Sequence, residues 1–171
     1  MFKILLSFIC SFGFLGCAKH YEPLSTVDKV DIKKYLGTWY EIARFDHSFE
    51  RGCTNVSATY DLKDNGNINV FNQCTKEDGT HKKATGIAYA VDITNTKLKV
   101  SFFRPFYGNY WVLMLDEEYT YALIGEPSRE YLWILSRTKS IDEVTKNKIL
   151  EKAKELKFDT NKFIWVKHNK K

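Results

Sequence analysis

Between residues 39 and 137 apolar side chains fall in short runs or at every second position, and each run ends at a cluster of Gly, Asn, Asp, Glu or Pro. Period-two patterning of this kind marks half-buried strands. It predicts strands near 39–45, 53–62, 67–74, 83–91, 97–103, 109–115, 119–124 and 131–137. Asp64-Asn65-Gly66-Asn67 is the strongest turn signal among them, because Asn-Gly readily adopts the positive φ of a tight hairpin. Asp78-Gly79, Asn95-Thr96, Tyr107-Gly108-Asn109, Asp116-Glu117-Glu118 and Glu126-Pro127-Ser128-Arg129 mark the other connections. Eight consecutive strands with short links predict an all-β fold, an eight-stranded up-and-down antiparallel barrel. Closure at that strand number removes sticky edges and encloses room for one small ligand. The period then changes: Ser140 with Glu143 forms a capping box, and Val144, Ile149, Ala153 and Leu156 share one face of an amphipathic helix packed on the barrel wall. Phe163-Ile164-Trp165-Val166 reads as a short final strand.

One strand points to space inside. Along Ala84-Thr85-Gly86-Ile87-Ala88-Tyr89-Ala90-Val91 one face carries only Ala and Gly, the other Thr85, Ile87, Tyr89 and Val91. A small-residue face turned inward leaves a cavity, whereas the same face turned outward would lie under the helix, where close packing also favours Ala and Gly.

Before the barrel, Met1-Phe2-Lys3 precedes an apolar run from Ile4 to Gly16 that is too short to span a bilayer, the shape of a secretory signal. The run ends Phe14-Leu15-Gly16-Cys17, which resembles a bacterial lipobox, with Phe14 where Leu is usual. That resemblance implies a signal at 1–16, an acylated Cys17 as the first mature residue, and a polar tether over 17–30 leading to a barrel domain over 31–171. Ala18 rather than Asp after the cysteine implies sorting to the outer membrane. Several acyl chains on one residue anchor stably, at about 0.8 kcal/mol per buried methylene. Export leaves Cys53 and Cys74 in an oxidising compartment, where a disulfide between them is favoured over two free thiols.

The net charge of +5 is spread in alternating signs apart from Lys167-His168-Asn169-Lys170-Lys171, so the surface is solvated and not a nucleic-acid footprint. His20, His47, His81 and His168 lack metal-ligand spacing, and there is no Gly-x-Ser-x-Gly elbow or phosphate-binding glycine loop. Glu117-Glu118 lies in a turn. No metal, cofactor or catalytic residue is expected, and the chain reads as a binding protein rather than an enzyme.

Gly37-Thr38-Trp39-Tyr40-Glu41-Ile42-Ala43-Arg44, Glu118-Tyr119-Thr120-Tyr121-Ala122-Leu123 and Leu132-Trp133-Ile134-Leu135-Ser136-Arg137-Thr138 resemble the three motifs of the lipocalins, and with Val100–Gly108 and Lys162–Val166 the chain is similar to bacterial outer-membrane members from about residue 31 to 167. The resemblance implies that Arg137 stacks on Trp39 to close the bottom of the barrel. With both inward, period two points Val56, Ala58, Tyr60, Val70, Asn72, Gly86, Ala88, Val100, Phe102, Val112, Met114, Trp133 and Leu135 into the cavity, if bulges do not intervene. That lining suits an acyl chain with a small head group, and the resemblance implies a lipid-anchored carrier of fatty acids or lysophospholipids in the periplasm, serving membrane maintenance under stress. A tetrapyrrole or pigment carrier is the alternative, although no inward histidine is expected, and a lipocalin-fold enzyme is a third reading. Pairing of two barrels into a homodimer stays open.

Overall fold

The computed structural model describes residues 22–169, so the signal and Cys17 lie outside the described residues. A short helix α1 (Ile32–Tyr35) leads into β1 (Gly37–Arg44), followed by β2 (Cys53–Leu62), β3 (Ile68–Lys76), β4 (His81–Ala90), β5 (Lys97–Phe103), β6 (Phe106–Leu115), β7 (Tyr121–Gly125) and β8 (Leu132–Ser136). Helix α2 (Glu143–Glu155) and strand β9 (Ile164–Trp165) complete the chain. From β1 to β8 every consecutive strand pair is antiparallel, and β1 pairs with both β8 and β2, which closes the barrel. Beyond Tyr40 the strands β1 and β2 diverge. The gap is filled by β9 against Ala43 and Arg44, and by the Lys167 carbonyl accepting from Asn55 N at 2.9 Å.

The turns follow from acidic and amide side chains that satisfy their own backbone. Asp78 Oδ1 accepts from Thr80 N, Asp92 Oδ1 from Thr96 N, Asp116 Oδ1 from Thr120 N and Tyr121 N, and Glu126 Oε2 from Ser128 N. The expected turn at Tyr107-Gly108-Asn109 is instead inside β6. The β5–β6 hairpin closes at Arg104-Pro105, where Phe103 pairs with Phe106. Proline lacks the N–H a ladder position needs, so the reversal falls there.

Four bulges break strict alternation, between Glu41 and Ala43, Thr54 and Ser57, Val100 and Phe103, and Val112 and Met114. An extra residue shifts every later side chain to the other face. Two large apolar cores and a small cluster around Cys53, Val56 and Cys74 result. Trp39, Tyr60, Ile68, Val70, Ala88, Leu98, Val112, Ala122, Ile124 and Leu135 fill the lower barrel together with Val30 and Tyr35. Outside, Ile149 and Ala153 of α2 and Leu156 at its C-cap pack on Ile42, Ala43, Leu113, Leu123 and Ile134.

The helix start differs from the expected capping box: Asp142, not Ser140, is the N-cap, its Oδ1 accepting from Thr145 N at 2.8 Å. The Ser140 carbonyl accepts from Thr138 Oγ1 instead, and a carboxylate suits the positive end of the helix better. Val144, expected on the buried face, is 80% exposed one residue inside that later start. The tether expected over 17–30 is packed over its described part, with Leu24 and Val30 buried against the barrel.

Candidate functional site

The barrel has one sealed end and one open end. At the sealed end the Arg137 guanidinium lies 4.0 Å from the Trp39 ring centroid and donates to the carbonyls of Thr38 at 2.9 Å, Lys34 at 2.8 Å, Leu36 at 2.8 Å, and Tyr35 and Tyr119 at 3.3 Å. Trp39 is fully buried, its Nε1 donating to the Tyr35 carbonyl at 2.8 Å. Gly37 stands at φ +87°, and a Cβ there would meet Arg137 Nη1 at 3.5 Å, which accounts for glycine two residues before the tryptophan.

Above this plug stands a ladder of hydroxyls: Tyr35 to Tyr110 at 2.7 Å and Tyr110 to Tyr60 at 3.0 Å. Burial first of all holds each of the three well protonated, with Tyr60 pushed up to about 12. The hydroxyls satisfy one another, so the floor is polar without demanding a partner.

Most residues expected inside are placed there by register. Ala58 pairs with Trp39, Asn72 with Ala58, Val70 with Tyr60 and Gly86, Ala88 with Val100, and Trp133 and Leu135 with Ile124 and Ala122. Tyr60, Val70, Ala88, Val112 and Leu135 belong to the inner core, with Ala58, Val100 and Trp133 packed against it. Three expectations change. Met114 packs with the outer core because the bulge after Val112 lets Leu113 turn outward and hands the inner place to Leu115. Val56 gathers with the Cys53–Cys74 disulfide and Val166 near the mouth rather than on the central wall. Phe102 is only half buried, its ring over Gly86: a Cβ on that glycine would lie 2.8 Å from Phe102 Cδ1 and from the Ser101 carbonyl oxygen. The small face of β4 therefore serves in part as the seat of one aromatic ring.

The disulfide itself is formed as expected. Cys53 stands opposite Lys76, and the bulge before Ser57 brings it to Cys74 diagonally.

A polar cluster near the mouth was missed. Arg44 and Glu41, both buried, pair at 2.7 Å, Arg44 Nη2 donates to the Glu50 carbonyl at 2.8 Å, and Trp133 Nε1 donates to Glu50 Oε2 at 3.1 Å. Burial and then the neighbouring Glu50 raise Glu41 well above the usual carboxyl range, outweighing the pull of Arg44. Extending period two from Trp39 points to Glu41 directly, and the following bulge turns Arg44 inward because Ile42 and Ala43 both face the helix. Arg44 Nε, Asn72 Oδ1 and His47 Nδ1 are buried without a hydrogen-bond partner among the described residues. Glu50 arrives on the β1–β2 loop, which Lys82 Nζ clamps by donating to the Phe49 carbonyl at 2.8 Å and Lys76 Nζ by donating to that of Arg51. On the same loop the His47 ring packs against Phe49, Tyr131 and Trp133. Burial lowers its pKa. Two clefts, of about 220 and 340 Å³, lie outside the calyx, one on the outer face of β3 and β4 and one between residues 25–28 and β6.

A closed eight-stranded antiparallel barrel with a tryptophan–arginine plug and one flanking helix defines a class, and the sequence agrees. A family model described as a lipocalin-like domain matches residues 30–168, and the chain belongs to the lipocalin family, whose members hold lipophilic ligands. Among its relatives, outer membrane lipoprotein Blc of Escherichia coli K12 is 49% identical over 160 residues, covering 91% of this chain and 90% of that one. Its Vibrio cholerae counterpart is 44% identical over 96% and 98% of the two chains, and temperature-induced lipocalin-1 of Arabidopsis thaliana is 40% identical over 82% and 81%. Among solved structures, insecticyanin of the tobacco hornworm Manduca sexta superposes with TM-score 0.71 at 21% identity, covering 88% of this chain and 87% of that one. At that identity the likeness speaks for the fold alone.

Proposed function

We propose that this protein is a lipid-anchored, non-enzymatic carrier of the outer membrane whose barrel, on the periplasmic side, takes a single-chain amphiphile such as a fatty acid or lysophospholipid for membrane maintenance under stress. The observation that carries this reading is the pairing of an apolar wall with two buried polar atoms, Arg44 Nε and Asn72 Oδ1, that lack partners among the described residues. Buried polar groups in folded proteins are almost always satisfied. A pure hydrocarbon would leave both orphaned, whereas a lysophospholipid head supplies oxygen for the guanidinium and a hydroxyl for the amide oxygen, and a fatty-acid carboxylate supplies the oxygen alone. Each enclosed methylene adds about 0.8 kcal/mol, so a long acyl chain reaches micromolar affinity from the wall alone. The names of the bacterial relatives, outer membrane lipoproteins, support the location and the acylation of Cys17. Among the described residues no helix is long and apolar enough to cross a membrane.

Titration with lysophospholipids and fatty acids, with native mass spectrometry of protein purified from its host, tests the reading. Saturable one-to-one binding is expected, weakened at least about tenfold by Ala84→Trp, which projects an indole from β4 across the interior. Absence of bound lipid in both measurements refutes it.

A further inference from the structure

The open end of the barrel carries large apolar side chains that nothing among the described residues covers. Phe49 is 72% exposed on the β1–β2 loop, and Phe103 and Phe106 are 75% and 71% exposed on the β5–β6 hairpin. Phe103 and Phe106 stack across that hairpin at 6.3 Å, with exposed Arg104 between them and half-exposed Phe102 beside them. At the sealed end Ile93, Val91 and Leu62 are exposed but none is aromatic, and scattered exposed aliphatic residues are ordinary. A cluster of three or four aromatics is not ordinary and marks a surface that meets something apolar.

Where the chain enters the fold says what that something is. The Glu22 carbonyl accepts from Arg129 Nη2 at 2.8 Å, and Arg129 sits in the β7–β8 turn, at the same end as the aromatic cluster. From there the chain descends along the wall, Val27 N donating to the Val112 carbonyl at 3.0 Å and Val30 N to that of Thr94 at 2.9 Å, to reach α1 beneath the floor. Cys17 precedes Glu22 by five positions, and five residues reach at most about 18 Å however they are arranged. A ten-residue strand such as β6, at the usual tilt, gives a barrel about 23 Å tall. An anchor at Cys17 is therefore too short to pass around the barrel and hold its sealed end against a bilayer.

We propose that Phe49, Phe102, Phe103, Arg104 and Phe106 form a membrane-docking rim, which seats the open end of the barrel on the bilayer that holds the anchor. The inference rests on the acylation of Cys17 proposed above. Phenyl rings enter the boundary between headgroups and acyl chains, and the Arg104 guanidinium meets lipid phosphates bidentately. A lipid then passes between bilayer and barrel without crossing water.

The test uses the full-length acylated protein in nanodiscs of phosphatidylethanolamine and phosphatidylglycerol doped with a nitroxide-labelled phospholipid. Amide NMR signals of residues 47–50 and 102–107 are expected to broaden, while those of the sealed-end turns at 63–67, 91–96 and 116–120 stay sharp. Broadening at the sealed end, or spread evenly over the barrel, overturns the proposal. Intact mass of the same sample reports the acyl chains on Cys17 separately, so loss of the anchor is told apart from loss of docking. A Cys17→Ser chain is expected to bind vesicles of the same lipids weakly through the same rim, and Phe103→Ser with Phe106→Ser to weaken that binding at least about tenfold without lowering thermal stability. Equal vesicle binding by the rim variant also overturns the proposal.

Discussion

Replacing Arg137 probes the sealed end at the point where its parts meet. The Thr38 and Lys34 carbonyls lie at the surface and regain water when the guanidinium is removed. The part-buried Leu36, Tyr35 and Tyr119 carbonyls do not, and bonds to them at 2.8, 3.3 and 3.3 Å are worth about 2 kcal/mol together. The cation held 4.0 Å from the Trp39 centroid adds about 1 kcal/mol. Arg137→Ala is thus expected to cost about 3 kcal/mol, seen as a thermal midpoint lower by about 6–12 °C in a domain of this size. Arg137→Lys keeps the charge but cannot reach α1, Thr38 and Tyr119 from one ammonium, and is expected to lose about 2 kcal/mol. Urea unfolding followed by tryptophan fluorescence, with the slope checked for constancy, measures both. If lysine substitutes within about 0.5 kcal/mol, the plug works by charge and not by planar geometry, and the reasoning fails.

Three further perturbations test the interior. Because the Glu41 carboxyl is raised by burial and by Glu50, its contribution to stability is fully present below about pH 4.3 and is given up as pH rises through the raised value, so the thermal midpoint should fall from pH 5 to pH 8. Glu41→Gln should flatten that slope; an unaltered slope assigns the dependence to another group. Cys53→Ser with Cys74→Ser opens a bridge across a sequence separation of 21 and should cost about 3 kcal/mol in urea, and overlapping curves for the bridged and bridgeless proteins would show that it constrains nothing. Gly86→Ala drives a Cβ to 2.8 Å from the Ser101 backbone oxygen, which cannot swing aside, and about 1–3 kcal/mol of overpacking is expected, a value that calorimetry near zero would contradict.

The barrel was legible because alternation survives wherever a strand is regular. β3 and β4 pair without interruption from Ile68 opposite Ala88 to Thr75 opposite His81, and there the inward residues follow from period two. The plug was legible because Gly37, Trp39 and Arg137 sit in motifs that together are specific. The failures cluster at bulges, which leave no mark in composition. Leu113-Met114-Leu115 offers three apolar side chains in a row, and only the shift between Val112 and Met114 decides which two turn outward. The mouth cluster was overlooked for a different reason. Charged residues are presumed solvated, and Glu41 and Arg44 are acceptable inside only because each satisfies the other and a loop brings Glu50 over them.

The order of these layers bears on how a ligand would lie. The hydroxyls of Tyr35, Tyr60 and Tyr110 bond to one another, and burial keeps them protonated, so the floor has little to offer a headgroup and presents mostly ring surface. Among the described residues, Arg44 Nε and Asn72 Oδ1 are two of the five buried polar atoms that lack partners, and both stand above the apolar belt of Val70, Ala88 and Val112. An amphiphile on the proposed reading therefore enters tail first and stops with its head among Arg44, Glu41 and Glu50. The cluster sets two carboxyls against one guanidinium. As pH rises through the raised value of Glu41 the cluster gains negative charge, and a free carboxylate head then meets repulsion that a zwitterionic or uncharged head avoids. Discrimination among lipids of equal chain length would in that case reside in three mouth residues and leave the wall indifferent to the head.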